Sequence, residues 1–531
     1  MKILAIIEDL PRLNFEYCYG RYVLNSNFIF SLLKYSKFQE IHFFVTDIKK
    51  NQETLKLLKR KEYYNKIKIK SVCNLRDEIK NNNYVAIHTN MFLLLDGLSS
   101  IRNSLDISIP LTALTATITY NFYNLYYLTL LQKLQTIDTL IVPSNSSFNF
   151  LNNIFKQLEN NISNYYSIEQ KHNVNFEIIP YGIEKIDTIK RQKSNKDVIN
   201  ILIFGRLSRI DKFDILPLLP IFNNIIKTTK KKVIFIISGD CNDDEYLQLI
   251  KKEIFRLKIQ KFVQIKIKPS ESEKNNLFQS SNVFVSLSDN IQESFGLTLL
   301  EAMKSGLPLI CSEWDGYKDL VKNGVNGFLV KSYKIKDSNK IFFKNRELSI
   351  FPFNNSVHYW GQDLFLNSQI TFFDYNDFFE KLLKIIENDN LRNKLSKASK
   401  RIGKQYEWKK IIGKYDNLWL KNKNKKISKT KFVNLTDVNG NIYDSFYSEI
   451  IPKKQIVKIK LENIKKIEQN IKVNLDNIAY LRKEIIIEII KLLNKKELSI
   501  NNICKKFNYE EDLLTFNISW LLKNNYLEIV K

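Results

Sequence analysis

Short, nearly uninterrupted apolar runs recur along the chain, with stretches of helical spacing between them. In the first part they lie at 2–7 (KILAII), 41–45 (IHFFV), 85–89 (VAIHT), 140–144 (LIVPS) and 176–180 (FEIIP). In the second they lie at 199–205 (INILIFG), 232–240 (KVIFIISGD), 263–267 (VQIKI), 282–287 (NVFVSL) and 308–312 (PLICS). Strands covered on both faces read this way because neither face has to meet water, and strands alternating with helices predict a parallel, doubly wound sheet. Two such series predict an α/β chain of two Rossmann-like domains facing across a cleft, with ligands bound near the carboxyl ends of the strands. Apolar periodicity lapses over 184–197 (EKIDTIKRQKSNKD), so the first domain is expected over 1–190 and the second over 191–422.

After a long helical pattern at 390–420, the run 421–431 (KNKNKKISKTK) reads as a solvated linker. Residues 423–480 are expected to be linker and irregular segment. Residues 481–531 show a helix (481–496), a short helix (500–508), an acidic start to a third helix (509–514) and a closing strand (525–531), an order like that of a winged helix. Its third helix opens on acids and carries no Arg, which disfavours nucleic acid as a partner and favours a protein or peptide.

Composition changes this picture in three ways. A chain of 531 residues with 44% hydrophobic residues is too long for one core and well able to fill several. The net charge of +26 would point to a polyanion or an anionic membrane surface. Lys, Asn and Ile recur everywhere, however, so most of that charge reads as compositional bias; the basic and aromatic segment 59–70 (KRKEYYNKIKIK) is the candidate for peripheral membrane contact. Five cysteines without a CxxC spacing indicate neither a disulfide framework nor a zinc site, and fit a reducing cytoplasm. The apolar run at the N-terminus is too short for a signal peptide, and no stretch reaches the length of a membrane span. The expected location is cytoplasmic, with the inner membrane surface as the candidate site of peripheral contact.

Candidate chemistry concentrates at 290–330 (NIQESFGLTLLEAMKSGLPLICSEWDGYKDLVKNGVNGFLV), where Glu293 and Glu301 stand eight positions apart. Glu293 is expected in a loop after a strand and Glu301 inside a helix beginning near Phe295 or Gly296. Backbone N–H groups of Ser294, Phe295, Gly296 and Leu297 would then face the cleft, an arrangement suited to a diphosphate. Gly296 would admit a ligand closely, Glu293 would accept hydrogen bonds from sugar hydroxyls, and Glu301 would hold a ribose diol. An amphipathic helix with one buried acid is the bland alternative for two glutamates alone; the surrounding SFGLTLLEAM, SGLPLI and NGFLV argue against it.

These motifs closely resemble the family 4 glycosyltransferases, retaining enzymes of the two-Rossmann-domain (GT-B) type. The segment 204–214 (FGRLSRIDKFD) resembles the family's phosphate-binding loop, with Gly205 at the turn and Arg206 and Lys212 in the positions of its basic pair. The segments 178–184 (IIPYGIE) and 141–147 (IVPSNSS) resemble its interdomain element and a first-domain strand end. The resemblance implies a nucleotide-diphosphate sugar as donor substrate, no separate cofactor and no metal, with Arg206, Lys212 and Glu293 as the catalytic residues. Fixed positive charge from the basic pair would meet the charge that develops on the departing diphosphate. The acceptor would be a glycan, a lipid-linked molecule or a polypeptide. Where the family commonly carries a first-domain histidine, this chain has Ala116 within 109–120 (IPLTALTATITY); Ala116 and His88 are the candidate cleft residues. The alternative function is a degenerate transferase body serving as an adaptor, with the C-terminal module binding a partner.

Overall fold

The computed structural model describes residues 2–11, 20–120, 123–167, 171, 173–185, 198–210, 212–338, 362–425, 451–460 and 480–530. They fall into two compact units, Met1–Asn434 and Leu435–Lys531.

The first unit contains both expected sheets. One is formed by β1 (Ile3–Ile7), β2 (Glu40–Val45), β3 (Ile67–Ser71), β4 (Tyr84–Thr89), β5 (Leu111–Leu114), β6 (Thr139–Val142) and β7 (Asn175–Ile178), in the order β3-β2-β1-β4-β5-β6-β7 with every pair parallel. The other is formed by β8 (Val198–Phe204), β9 (Lys232–Gly239), β10 (Val263–Ile267), β11 (Val283–Ser286), β12 (Leu309–Ser312) and β13 (Gly327–Val330), in the order β10-β9-β8-β11-β12-β13, again parallel. Both sheet faces are covered, which is why the strands read as continuous apolar runs. In β1, Leu4 and Ile6 enter one core while Ala5 and Ile7 enter another; in β8, Leu202 faces one core and Ile201 and Ile203 the opposite one.

In each sheet the strand order reverses beside the first strand of the series, between β1 and β4 and between β8 and β11. Loops leaving the carboxyl ends of neighbouring strands at such a point diverge and open a crevice. The loop after β8 carries Gly205, Arg206 and Lys212, and the loop after β11 carries Glu293.

Three strands of these two sheets were not anticipated from the apolar runs. β3 alternates Ile and Lys at the sheet edge, where Ile67 is buried and Lys68 exposed, so it lies within the segment read as a basic surface. β5 and β13 have only four residues each.

The expected domain limit at 422 also shifts. The helix Trp408–Lys423 packs on the first sheet, where Trp419 Nε1 donates to Thr112 Oγ1 at 2.9 Å and Asn422 Nδ2 donates to Thr139 Oγ1 at 2.9 Å. Its apolar stripe is legible in the sequence; which sheet that stripe covers is not. Residues 186–197, the expected boundary, lie outside the described residues.

The second unit has helices Lys483–Leu493, Ile500–Cys504 and Glu511–Lys523 and an antiparallel sheet of β16 (Ile456–Ile459), β17 (Leu498–Ser499) and β18 (Leu527–Ile529), ordered β17-β16-β18. Its core is aliphatic, with Ile485, Ile489, Ile503, Leu514 and Leu521 buried around Val457. The span 423–480, expected to be irregular, therefore contributes the central strand of this sheet; most of the remainder of that span lies outside the described residues. A two-stranded antiparallel pair, β14 (Ser332–Lys334) with β15 (Thr371–Phe373), completes the described strands.

Candidate functional site

The loop after β8 is shaped by glycines. Gly239 has φ +148°, and a Cβ there would lie 1.8 Å from the Gly205 carbonyl oxygen. The ends of β8 and β9 are thus pressed together, and Gly205 N donates to the Ser238 carbonyl at 3.0 Å. Arg206 follows, half-buried, and Lys212 N donates to the Ser208 carbonyl at 3.2 Å. This short turn carries the Lys212 side chain to Glu293, with Nζ 3.2 Å from Oε2; the two side chains are 31% and 16% exposed. The sequence placed both residues among the catalytic candidates, and the fold brings them into contact.

Asn290 joins the two loops from beneath. Its Nδ2 donates to the Ile210 carbonyl at 2.7 Å, its Oδ1 accepts from Gln292 N at 3.0 Å, and its carbonyl accepts from Trp314 Nε1 at 3.0 Å. Asn290 is fully buried.

The helix expected near Phe295 or Gly296 runs over Leu297–Ser305 with Gly296 as its cap residue at φ +107°. Leu299 and Leu300 donate to the Gly296 carbonyl, so the N–H groups of Leu297 and Thr298 stand before the first intrahelical bonds. Ser294 and Phe295 precede the helix. Phe295 is buried against Tyr181, with ring centroids 5.0 Å apart. The helix therefore starts one residue beyond the glycine, at Leu297. A Cβ on Gly296 would come within 2.7 Å of the Tyr317 ring, and one on Gly316 within 2.4 Å of Phe295 Cα.

Glu301, on the first turns of this helix, pairs with Lys274 at 2.6 Å rather than standing alone. Burial raises its pKa, opposed by the Lys274 ammonium. Lys274 also lies 5.8 Å from the centroid of Phe204, the last residue of β8.

The first domain grips the Glu293 loop. Ser294 Oγ donates to the Ala116 carbonyl at 3.0 Å, and Gln292 Nε2 donates to Tyr120 OH at 3.2 Å. Ser144 Oγ lies 3.0 Å from the Ser294 carbonyl and 3.3 Å from Asp315 Oδ1, and Asn145 meets Asp319 through N and Nδ2 at 2.7 and 2.9 Å. Ser144 caps the helix Asn145–Tyr166, so two donor-side carboxylates sit at a helix N-terminus, where the backbone dipole favours negative charge. Burial, reinforced by the charge of Glu293, still pushes Asp315 up to about 7. The Ala116 carbonyl thus meets the loop that follows β11.

His88 does not open on the cleft. It is fully buried beneath the helix Trp408–Lys423, in ring contact with Phe28, Tyr415 and Trp419 at 5.4, 5.7 and 5.3 Å. Burial lowers its pKa to about 3, so the imidazole is neutral. Sequence reasoning passed over Asn290, Ser144, Asp315, Asp319 and Lys274. The 141–147 motif contained Ser144, while the others are common polar residues whose importance depends on the partner they meet.

Residues 184–344 match the family described as glycosyl transferases group 1. Over 185 residues the chain is 28% identical to a 41.2 kDa protein in the cps region of Klebsiella pneumoniae, covering 34% of this chain and 44% of that one. Over 165 residues it is 27% identical to the GtfA subunit of the UDP-N-acetylglucosamine–peptide N-acetylglucosaminyltransferase of Streptococcus pneumoniae, covering 30% of each. The chain spans less than half the length of these curated relatives. In structure it is similar to a glycosyltransferase from Rickettsia africae, with a TM-score of 0.50 and 14% identity over 80% of this chain and 99% of that one. The fold is that of two Rossmann-like domains, the GT-B arrangement, and the second domain carries the group 1 glycosyl transferase match.

Proposed function

We propose that this chain is a glycosyltransferase that moves a sugar from a nucleotide-diphosphate sugar to a hydroxyl acceptor with retention at the anomeric carbon. The observation that carries the reading is the Lys212–Glu293 contact at the β8/β11 switch point, inside the segment that matches group 1 glycosyl transferases. Lys212 and Arg206 supply fixed positive charge where the diphosphate departs, in a partly buried site where such charge acts more strongly than in water. Glu293, oriented by Lys212, accepts hydrogen bonds from the sugar hydroxyls. Leu297 and Thr298 offer backbone N–H groups to the diphosphate, and Glu301, held by Lys274, accepts from the ribose hydroxyls. In this mechanism the acceptor attacks on the face from which the diphosphate leaves, and the leaving oxygen takes its proton. No step draws on a metal.

The donor screen covers uridine-, guanosine- and adenosine-diphosphate sugars, scored by thermal stabilisation and by release of nucleoside diphosphate. Stabilisation that is lost in Glu301→Ala, together with release that is lost in Lys212→Ala, supports the enzyme. No stabilisation by any donor supports an adaptor instead. The Streptococcus pneumoniae relative is named for a peptide acceptor, so peptides join glycans and lipid-linked molecules in the acceptor screen. Peripheral membrane contact would use Lys59, Arg60 and Lys61 beside the exposed Leu57. Binding to anionic vesicles that weakens with salt, and is absent on neutral vesicles, is the expected result.

A further inference from the structure

Next to Ala116, the first domain holds a buried amide whose donor end is unused among the described residues. Asn90 follows β4 and is 2% exposed. A relay of side chains fixes its orientation. Trp419 Nε1 can only donate, and it donates to Thr112 Oγ1 at 2.9 Å. His88 Nδ1 lies 2.9 Å from the same hydroxyl, and His88 Nε2 lies 3.2 Å from Asn90 Oδ1. In a neutral imidazole only one nitrogen carries hydrogen. With Nε2–H donated to Asn90 Oδ1, Nδ1 accepts from the Thr112 hydroxyl, and each group in the relay has a matching role. The Asn90 oxygen is thereby occupied and Nδ2 is turned away from His88. Nδ2 meets no hydrogen-bond partner among the described residues.

Asn90 lines a small crevice with Met91, Leu93, Ala116, Thr117 and Tyr123, holding about 10 Å³, room for one water-sized group. Among the described residues no charged side chain lines it. The carbonyl of Ala116, on the same wall, receives the hydroxyl of Ser294, the residue after Glu293. The crevice therefore adjoins the donor loop, and the methyl side chain at 116 leaves it unfilled.

We propose that this crevice seats the reacting group of the acceptor, that Asn90 Nδ2 donates a hydrogen bond to its hydroxyl oxygen, and that the group admitted is small and uncharged. The proposal rests on the glycosyl-transfer reading and adds the acceptor's chemistry to it. A buried amide donor without a partner costs free energy, which a bound hydroxyl oxygen recovers. A phosphate or carboxylate at the same place would lose its hydration with no cation to meet it. In the transfer, the anomeric carbon exchanges its bond to the diphosphate oxygen for a bond to the acceptor oxygen, and the acceptor's proton passes to the diphosphate.

The test uses the full chain with a donor that binds, and measures nucleoside diphosphate release with water alone, with concentrated glycerol and with inorganic phosphate, whose reacting oxygen is itself charged. Water and glycerol should both serve, and inorganic phosphate should not. Asn90→Leu and Asn90→Asp should each lower release about tenfold or more, the worth of one hydrogen bond to a reacting group, with donor affinity unchanged. Should Asn90→Leu fold poorly, seen as lost donor binding, Ala116→Leu decides, since a larger side chain there fills the crevice and should block transfer while the donor still binds. Wild-type release in Asn90→Leu or in Ala116→Leu, equal use of inorganic phosphate, or a protein that binds donor yet transfers to neither water nor glycerol overturns the proposal. Failure of the wild-type chain to bind any donor overturns the glycosyl-transfer reading instead.

Discussion

The Ser294 hydroxyl donates to the Ala116 carbonyl oxygen across 3.0 Å, tying the residue after Glu293 to the wall of the first domain. The loop that presents Glu293 is therefore held from both sheets, by Asn290 beneath and by Ala116 and Ser144 across. Ser144→Ala removes contacts to the Ser294 carbonyl and Asp315 together with a helix cap, and should cost about 1–2 kcal/mol in denaturant unfolding. The same variant should weaken donor binding measured by calorimetry.

The Lys212–Glu293 contact predicts asymmetric effects. Lys212→Ala removes charge at the leaving diphosphate and should lower turnover by about a hundredfold or more, with a smaller change in donor affinity. Glu293→Gln keeps the shape and one acceptor oxygen, so its loss should be smaller than that of Glu293→Ala. Steady-state kinetics on the donor found by the screen provide the comparison.

Removing the carboxylate in Glu301→Ala leaves the Lys274 ammonium, 18% exposed, without that partner. Donor affinity should fall about tenfold or more, the worth of a charge-assisted hydrogen bond. Lys274→Met should give a milder loss, since it leaves the carboxylate in place. Titration calorimetry with the nucleoside diphosphate alone isolates the effect from the sugar.

Gly296→Ala should destabilise the second domain by about 1–3 kcal/mol, because a side chain at φ +107° is strained and its Cβ would meet the Tyr317 ring at 2.7 Å. A lowered unfolding midpoint, with the donor site lost along with it, is the expected outcome.

Asp289 is buried, its Oδ1 has no partner among the described residues, and burial pushes its pKa up to about 8. A carboxyl raised in the folded state binds its proton more tightly there than in the unfolded chain. Its contribution to stability is complete below the unfolded value near pH ~4 and is lost as pH rises through about 8. Asp289→Asn should therefore stabilise the protein at pH 9, and the gain should shrink as pH is lowered. Denaturant midpoints of both proteins across that range test this.

Much of the fold was legible because parallel strands covered on both faces must be apolar throughout, as β1, β8 and β9 are. β3 escaped because an edge strand buries one face only, and its Ile–Lys alternation resembled a charged surface. β5 escaped because Thr112 and Ala113 interrupt its short Leu111–Leu114 run and leave no continuous bulky apolar stretch. Within the site, Gly205, Arg206, Lys212, Glu293 and Glu301 were legible from their place in motifs at strand ends. Lys274 and Asn290 were not, since a lysine on a helix and an asparagine in a loop look ordinary until their partners are known.

By itself the sequence determined that the chain builds two sheets of this kind, and which strand ends carry its acids and bases, because hydrophobic period and turn chemistry act over a few residues. Only the tertiary structure decided that Lys212 meets Glu293, that Glu301 is held by Lys274, that His88 is sealed beneath the helix returning from the far end of the unit, and that Asn90 Nδ2, beside Ala116, meets no partner among the described residues. Each of these depends on groups 26 to more than 300 positions apart. Such contacts are set by how helices and sheets pack, which no local pattern encodes.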